Sequence, residues 1–427
     1  MRAISFILIL FAIAAAWCPA QSTFVDSLAK KGEVEIPIAQ AKMLESELGQ
    51  LFIINVDGFG YSGPLALEPG YAELVQRLQI GGVIPHYGST SYEKIRRTNQ
   101  TLSGLTRLPL LICCDIVKLK GPSGLGSFGD GYVGGFLGKF RRMQDAELST
   151  LAALNAFAFA AIGINVALGP TVDTSTGETR TPDRARLVMD QMKSFGLEPV
   201  LKHFPFLPTT ANLHHASPDM KLELSEAEKR FAIFQELAPE AGIMMTTHLY
   251  DSNVDQGLVT FSPAWNSLLR DRTGFNGLLM SDGLLMLKNY ADRSVLAGGP
   301  AGQDVEGLDE AAVWALRAIL AGHDLIIVEG SAPQTSRVFE GLLTAACRGT
   351  PLGGKLRERI DESSARIARW KQDREQTLRR VVDVSAAAMD AVIGMLPDED
   401  ASLPEFRFDP AGLARLEPEL RAAMVTR

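Results

Sequence analysis

The sequence is poor in cysteine, with four in 427 residues, and poor in histidine, with six. It contains no Cys-x-x-Cys pair and no His/Cys spacing typical of zinc ligands, so it predicts no metal site. It also lacks an excess of positive charge: the formal net charge is −8 and no basic patch stands out. Because binding to phosphates requires such patches, we expect no nucleic-acid partner. The Gly-rich segment 116–145 lacks Gly-Lys-Ser/Thr, and no organic cofactor is indicated.

The N-terminus carries an apolar run from Ala3 to Trp17 behind a basic residue. The run is too short to span a bilayer comfortably, and the small residues after it offer a cleavage point at Ala20-Gln21. This pattern predicts a secretory signal peptide over residues 1–20, and hence an exported protein without a stable membrane span. An uncleaved anchor, a buried helix or a lipid anchor at Cys18 are alternatives. Lipidation is the weaker one, because Trp17 stands where a small residue normally precedes the modified cysteine.

Eight short apolar runs, rich in Leu and β-branched residues, recur along the chain. Runs of this length suit strands that are buried on both faces, as in a parallel sheet. The runs are LFIINV (51–56), GGVIP (81–85), LPLLICCD (108–115), GINVALGP (163–170), LEPVLKHFP (197–205), GIMMTTH (242–248), FNGLLMSD (275–282) and HDLIIVEG (323–330).

Helix-like segments alternate with these runs, and the alternation predicts an α/β fold, a (β/α)8 TIM barrel. A doubly wound open sheet is the alternative, which the count of eight disfavours. After residue 350 the chain becomes charged and helical, then ends in a segment punctuated by Pro, Asp and Glu. We therefore expect a signal peptide over 1–20, a barrel over 21–350, and a C-terminal helical extension with a loose tail over 351–427.

Ionisable side chains close several of the runs. Active sites of such barrels lie at the C-terminal ends of the strands, so these side chains should meet at one mouth. They are Asp115 after the third run, Lys202-His203 after the fifth, His248 after the sixth and Asp282 after the seventh. The loop after the fourth run adds Asp173, Glu178 and Arg180, and the loop after the fifth run adds His214 and His215.

A carboxylate in such a cleft suits attack on an anomeric carbon, and Asp282 is the natural nucleophile. A loop histidine, His214 or His215, could protonate the leaving oxygen and then activate water near neutral pH.

Three motifs in order, LKHFP, MTTHLYDSNVD and GFNGLLMSDGLLM, resemble glycoside hydrolase family 3. The likeness is greatest to its single-domain bacterial β-N-acetylhexosaminidases. It covers roughly residues 45–345, where INVALGPTVD and AGHDLIIV also look like family segments. The resemblance implies a (β/α)8 barrel, in agreement with the strand count, and hydrolysis of a glycosidic bond.

The resemblance also implies roles for individual residues. Asp282 matches the nucleophile and His215 the acid/base. The residues that match substrate-binding positions are Asp115, Arg180, Lys202, His203 and His248. Arg184 and Arg186 compete with Arg180 for the arginine position.

The sequence departs from the family pattern in its acid/base loop, which in the family reads Lys-His-Phe-Pro-Gly-His-Gly and closes with Asp-Ser-His. Here apolar residues replace the glycines, Leu213 replaces the Asp that orients the catalytic His, and His214 replaces the Ser. Gly283 stands where the family has a second Asp after the nucleophile. A histidine without its carboxylate partner loses its fixed tautomer. Asn212 or Asp219 could orient the histidine in place of the missing Asp.

Two hypotheses of different classes follow. The first is an exported retaining glycosidase that acts on a β-linked hexosaminide, derived for example from peptidoglycan. The second is a catalytically degenerate relative that binds sugars or wall fragments, which the altered loop motivates. A glycosidase with a changed substrate preference is a third and weaker reading. The oligomeric state is not indicated.

Overall fold

The structure, a computed structural model, describes most of the chain. The described residues are 23–56, 69–85, 92–115, 144–172, 181–206, 217, 219–290, 293–296, 305–395 and 410–424.

Eight parallel strands form a closed barrel in chain order, with β1 hydrogen-bonded to β8. The strands are β1 Phe52–Asn55, β2 Gly82–Ile84, β3 Leu111–Asp115, β4 Val166–Leu168, β5 Glu198–Phe204, β6 Ile243–Thr246, β7 Leu278–Gly283 and β8 Leu325–Val328. Seven strands lie within the predicted apolar runs and β7 extends one residue beyond its run, to Gly283, so the predicted (β/α)8 barrel is confirmed. Described strand side chains are buried almost throughout, because barrel interior and helix layer cover both faces.

Helices surround the barrel and continue beyond it. They are α1 Phe24–Lys31, α2 Ile38–Leu51, α3 Pro69–Leu78, α4 Tyr92–Ser103, α5 Asp145–Ala161, α6 Thr181–Ser194, α7 Leu224–Leu237, α8 Pro263–Thr273, α9 Glu310–Ala321, α10 Ala332–Cys347, α11 Pro351–Asp373, α12 Glu375–Leu378, α13 Ala386–Met395 and α14 Pro410–Ala423. Local signals set their ends: Ser262 caps the first turn of α8, and Gly274, with a φ of +68°, closes it in the left-handed conformation that glycine tolerates best.

The C-terminal helical extension is present, and α11 packs against the face of the barrel where the strands begin. Asp324, which precedes β8 and is fully buried, accepts from the Leu279 N–H at 3.0 Å and from Arg270 at 3.1 Å. On the α11 side it accepts from Ser363 at 3.0 Å and from Arg366. The extension thus lies on the side opposite to the face where the strands end.

The end of the chain is helical where the sequence suggested a loose tail. Helix α14 packs against α13. Leu413, Leu416 and Leu420 recur at a spacing of three and four residues, which places them on one side of the helix. Leu416 and Ala423 are buried there, so part of this tail packs on the molecule.

Candidate active site

The carboxylate of Asp282 lies near the end of β7, on the face where all eight strands end. Its Oδ1 accepts a hydrogen bond from the Gly283 N–H at 2.8 Å. Burial raises the pKa of this carboxyl, and the charges of His203 and His248 act against burial. The Gly283 N–H and Lys202 lower the pKa further, so that it lies below its usual value. Asp282 is therefore ionised at neutral pH, as an attacking carboxylate must be.

Lys202 and His203 are part of β5 and are only 5% and 4% exposed. The backbone of Lys202 is held by the segment that follows β4: its N–H donates to the Pro170 carbonyl at 3.3 Å, and its carbonyl accepts from the Val172 N–H at 2.8 Å. The peptide bond between Lys202 and His203 is cis. The structure thus brings both predicted residues close enough to Asp282 to lower its pKa.

His248, two residues beyond β6, is 1% exposed. Its Nε2 lies 2.9 Å from the Gly283 carbonyl oxygen, and because a carbonyl only accepts, we assign the hydrogen to Nε2. Its Nδ1 lies 2.6 Å from the Thr260 hydroxyl. Both ring nitrogens are engaged by the protein, so His248 fixes the backbone next to Asp282. The substrate contact that the sequence suggested for His248 stays a prediction.

Tyr290 and Thr260 are neighbours of this group that the strand-end pattern did not indicate. The Tyr290 hydroxyl donates to the His248 carbonyl at 3.3 Å. Burial, and then the charge of Asp282, raise the pKa of Tyr290, so its phenol stays protonated. Thr260 lies in the segment that follows β6 and Tyr290 in the segment that follows β7, and nothing in their sequence separates them from ordinary core residues.

The strand that carries Lys202 and His203 ends in an aromatic cluster. Phe204 stacks on Phe231 with ring centroids 5.4 Å apart, and it meets Phe234 and Trp265 edge to face. Such ring pairs add stabilisation beyond the area they bury. The end of β5, from which the histidine loop departs, is therefore rigidly anchored.

His214, His215, Leu213 and Asn212 lie outside the described residues, so the proposed acid/base role stays a prediction. Where the chain returns, both carboxylate oxygens of Asp219 accept bonds from Ser252, at 2.9 Å from its N–H and 2.6 Å from its hydroxyl. Ser252 thus engages the carboxylate that was considered as a replacement for the missing orienting Asp.

Asp115 and Arg180 are the remaining predicted contacts. Asp115 is the last residue of β3, but its side chain is outside what the structure describes, and Arg180 lies entirely outside it. The competing arginines are placed on the outer helix α6: Arg184 lies 3.5 Å from Asp145, and Arg186 lies 2.7 Å from Glu240. Both arginines thus form ion pairs within the helical layer, and the substrate contact predicted for Arg180 stays a prediction.

A further carboxylate, that of Glu329, lies beside Gly283. A Cβ atom added to Gly283 would lie 2.3 Å from Oε2 of Glu329, which is well inside contact distance. Glu329 directly follows β8, whose Ile327 is paired with Gly283. Sequence reasoning missed this residue, although the criterion that found Asp282, an ionisable group at the end of an apolar run, also selects it in HDLIIVEG.

The arrangement offers an ionised carboxylate in Asp282 and a second carboxyl group in Glu329. Lys202 and His203 add two hydrogen-bonding side chains that can hold sugar hydroxyls. Among the described side chains, no group of three or more His, Cys, Asp or Glu could hold a metal ion. Within the same ranges, no helix is both long and apolar enough to cross a bilayer.

Comparison of the chain with known proteins identifies one protein family. Residues 43–370 match the family model described as Glycosyl hydrolase family 3 N terminal domain. The chain is similar to a β-hexosaminidase of Methylococcus capsulatus, with 31% identity over 215 residues, 46% of this chain and 59% of that protein. It is also similar to a β-hexosaminidase of Xanthomonas oryzae pv. oryzae, with 24% identity over 281 residues, 60% of this chain and 78% of the relative.

Among solved structures, the β-N-acetylhexosaminidase from Beutenbergia cavernae superimposes with a TM-score of 0.60 at 20% identity. The match covers 77% of this chain and 98% of that one. At this identity the likeness shows the fold, which is the same barrel.

Proposed function

This chain belongs to glycosyl hydrolase family 3, and we propose that it is an exported retaining glycosidase that hydrolyses a β-linked hexosaminide. The names of the β-hexosaminidases of Methylococcus and Xanthomonas support this substrate class. The matched region spans 59% of the length of the Methylococcus relative, so the activity rests on the site as much as on the likeness. A peptidoglycan-derived fragment is the substrate we expect for an exported enzyme of this class.

The observation that carries the proposal is the environment of Asp282. At the barrel mouth, His203, His248, the Gly283 N–H and Lys202 together outweigh burial and keep its carboxylate ionised. In double displacement, this carboxylate attacks the anomeric carbon and forms a glycosyl ester as the bond to the leaving oxygen breaks. The leaving oxygen takes a proton from an acid; water then attacks the anomeric carbon, gives up a proton to that same group, and frees Asp282. Lys202 and His203 hold the sugar hydroxyls, and no step needs a cofactor.

The test is hydrolysis of a panel of chromogenic aryl glycosides. The wild-type chain should release the aryl group from β-N-acetylglucosaminides, and Asp282→Asn should lose this activity. Asp271→Asn, an exposed aspartate on α8, serves as a matched control that should retain it. The first product released should have the β configuration, read by proton NMR. Activity that survives in Asp282→Asn, or a first product of α configuration, would contradict the proposal.

A sugar-binding role without catalysis is the second candidate, and the loss of the orienting Asp at Leu213 favours it. Calorimetry with N-acetylglucosamine oligomers, run beside the hydrolysis assay, separates the two. Binding without turnover of any glycoside in the panel supports the second candidate, and turnover supports the first.

Export is a proposal that rests on residues 1–20. N-terminal sequencing of the mature protein should start at Gln21. A mature chain that begins at a lipid-modified Cys18 would replace this proposal with a membrane-anchored form.

A further inference from the structure

We propose that Glu329 is the proton-transfer partner of Asp282, an inference that rests on the proposed glycosidase function. In this proposal the proton donor is a carboxylic acid at the end of a strand, whereas in the family pattern it is the imidazole of a loop histidine. The residue lies outside the motifs that carried the resemblance, and only its position in the barrel draws attention to it.

The first step is steric. Gly283 has no side chain, and the carboxylate of Glu329 lies in the room that one would need, with Oε2 at 2.3 Å and Cδ at 2.8 Å from an added Cβ. A side chain at 283 and the present position of Glu329 therefore exclude each other. The family signature has an Asp at this place, so the chain keeps an acidic group here but takes it from the neighbouring strand.

The second step is distance. The Gly283 N–H lies 2.8 Å from Oδ1 of Asp282, and Glu329 lies against the Cα of the same glycine. With standard bond lengths, these contacts put the two carboxylates no more than about 8 Å apart. Pairs of catalytic carboxylates in glycosidases are about 5–5.5 Å apart in retaining enzymes and about 6.5–9.5 Å apart in inverting ones. Glu329 is thus within working distance of Asp282.

The third step is charge and rigidity. In a pair of neighbouring carboxyl groups, the charge of one disfavours ionisation of the other, and by this relation one member of a catalytic pair acts as the acid. The strand end is held in place, because the Tyr71 hydroxyl donates to the Gly330 carbonyl at 2.9 Å and Gly283 pairs with Ile327. A fixed acid makes a loop histidine with its own carboxylate partner unnecessary, which fits the change to Leu213.

The reaction is balanced as follows. As Asp282 bonds to the anomeric carbon, the glycosidic C–O bond breaks and its oxygen takes the proton of Glu329. The Glu329 carboxylate then removes a proton from water, whose oxygen bonds to the anomeric carbon while the ester to Asp282 breaks. Both side chains return to their starting states, and water is the only co-reactant.

The experiment measures Glu329→Gln on aryl β-N-acetylglucosaminides that differ in their leaving group. A dinitrophenyl group departs without a proton, whereas an unsubstituted phenyl group needs one. We expect a fall of about 10²–10⁴-fold for the phenyl substrate and a much smaller fall in formation of the glycosyl enzyme from the dinitrophenyl substrate. Added azide should accelerate the variant and give a β-glycosyl azide. Glu306→Gln, an exposed glutamate in the turn that precedes α9, is the matched control.

Two further variants keep the outcomes distinct. His215→Ala tests the loop histidine. If His215→Ala shows the leaving-group dependence and the azide response, and Glu329→Gln shows neither, the inference is overturned. Gly283→Ala should displace the Glu329 carboxylate, because the present position of Glu329 leaves no room for the added carbon. This variant should therefore show the same leaving-group dependence and azide response as Glu329→Gln.

A loss in Glu329→Gln that is equal for all leaving groups, or no loss relative to Glu306→Gln, would likewise refute a proton-transfer role. Turnover that depends on Asp282 but not on Glu329 would overturn this inference alone. A wild-type chain without turnover would overturn the proposed function as well.

Discussion

Glu47 on α2 and Asp361 on α11 form a carboxyl pair that should make the stability of the fold depend on pH. Burial, and then the charge and hydrogen bond of Asp361, raise the pKa of Glu47 from 4.5 to about 7. An acid that holds its proton more tightly in the folded chain stabilises the fold fully below pH 4.5. This stabilisation is lost as the pH rises from 4.5 to 7.

The size of the effect follows from the two pKa values of Glu47. The difference between 4.5 and about 7 corresponds to about 3 kcal/mol of unfolding free energy. Because Asp361 is exposed and water screens the pair, we expect about 1–3 kcal/mol. Glu47→Gln keeps a hydrogen-bond donor for Asp361 but cannot ionise. The variant should therefore match the wild type near pH 4.5 and exceed its stability by this amount at pH 8.

Urea denaturation of both proteins at the two pH values measures the effect. Glu73→Gln, an exposed glutamate on α3, is the control and should show no pH-dependent gain. The reasoning would be refuted if Glu47→Gln gained nothing at pH 8, or if it gained equally at both pH values.

Two other predictions concern the anchoring of the barrel and of the site. Asp324→Asn should lower the unfolding free energy by about 3–5 kcal/mol, because it leaves arginines from two helices without their buried partner; a loss below about 1 kcal/mol in urea denaturation would contradict this. Thr260→Val removes the hydroxyl at 2.6 Å from His248, so the imidazole that binds the Gly283 carbonyl loses its orientation. Steady-state kinetics should show kcat falling several-fold with KM little changed, and an unchanged kcat would contradict that role.

The barrel was predictable because each strand is buried on both faces and therefore appears as an uninterrupted apolar run. The same regularity located Asp282, Lys202 and His203, since ionisable groups at strand ends must meet at one mouth. Glu329 follows the same rule, because it is the ionisable group that ends the eighth apolar run.

Other features could not be predicted from the sequence. Asp324 meets Arg366, which lies on a helix far along the chain, and a charged helical segment gives no sign of which arginine will be buried against the barrel. Tyr290 and Thr260 contact His248 from the segments that follow β7 and β6, and no local sequence pattern fixes where such connecting segments lie. The roles of His214 and His215 stay predictions, because they fall outside the described residues.

A trapped glycosyl enzyme tests the role of Asp282 most directly. A fluorinated N-acetylglucosaminyl fluoride, which forms the ester quickly and hydrolyses slowly, is incubated with the wild-type chain, and the labelled peptide is identified by mass spectrometry. We expect one sugar per chain, attached to Asp282 in the peptide that contains GLLMSDG. A label on any other residue, or none from a chain that hydrolyses the aryl substrate, would contradict nucleophilic attack by Asp282.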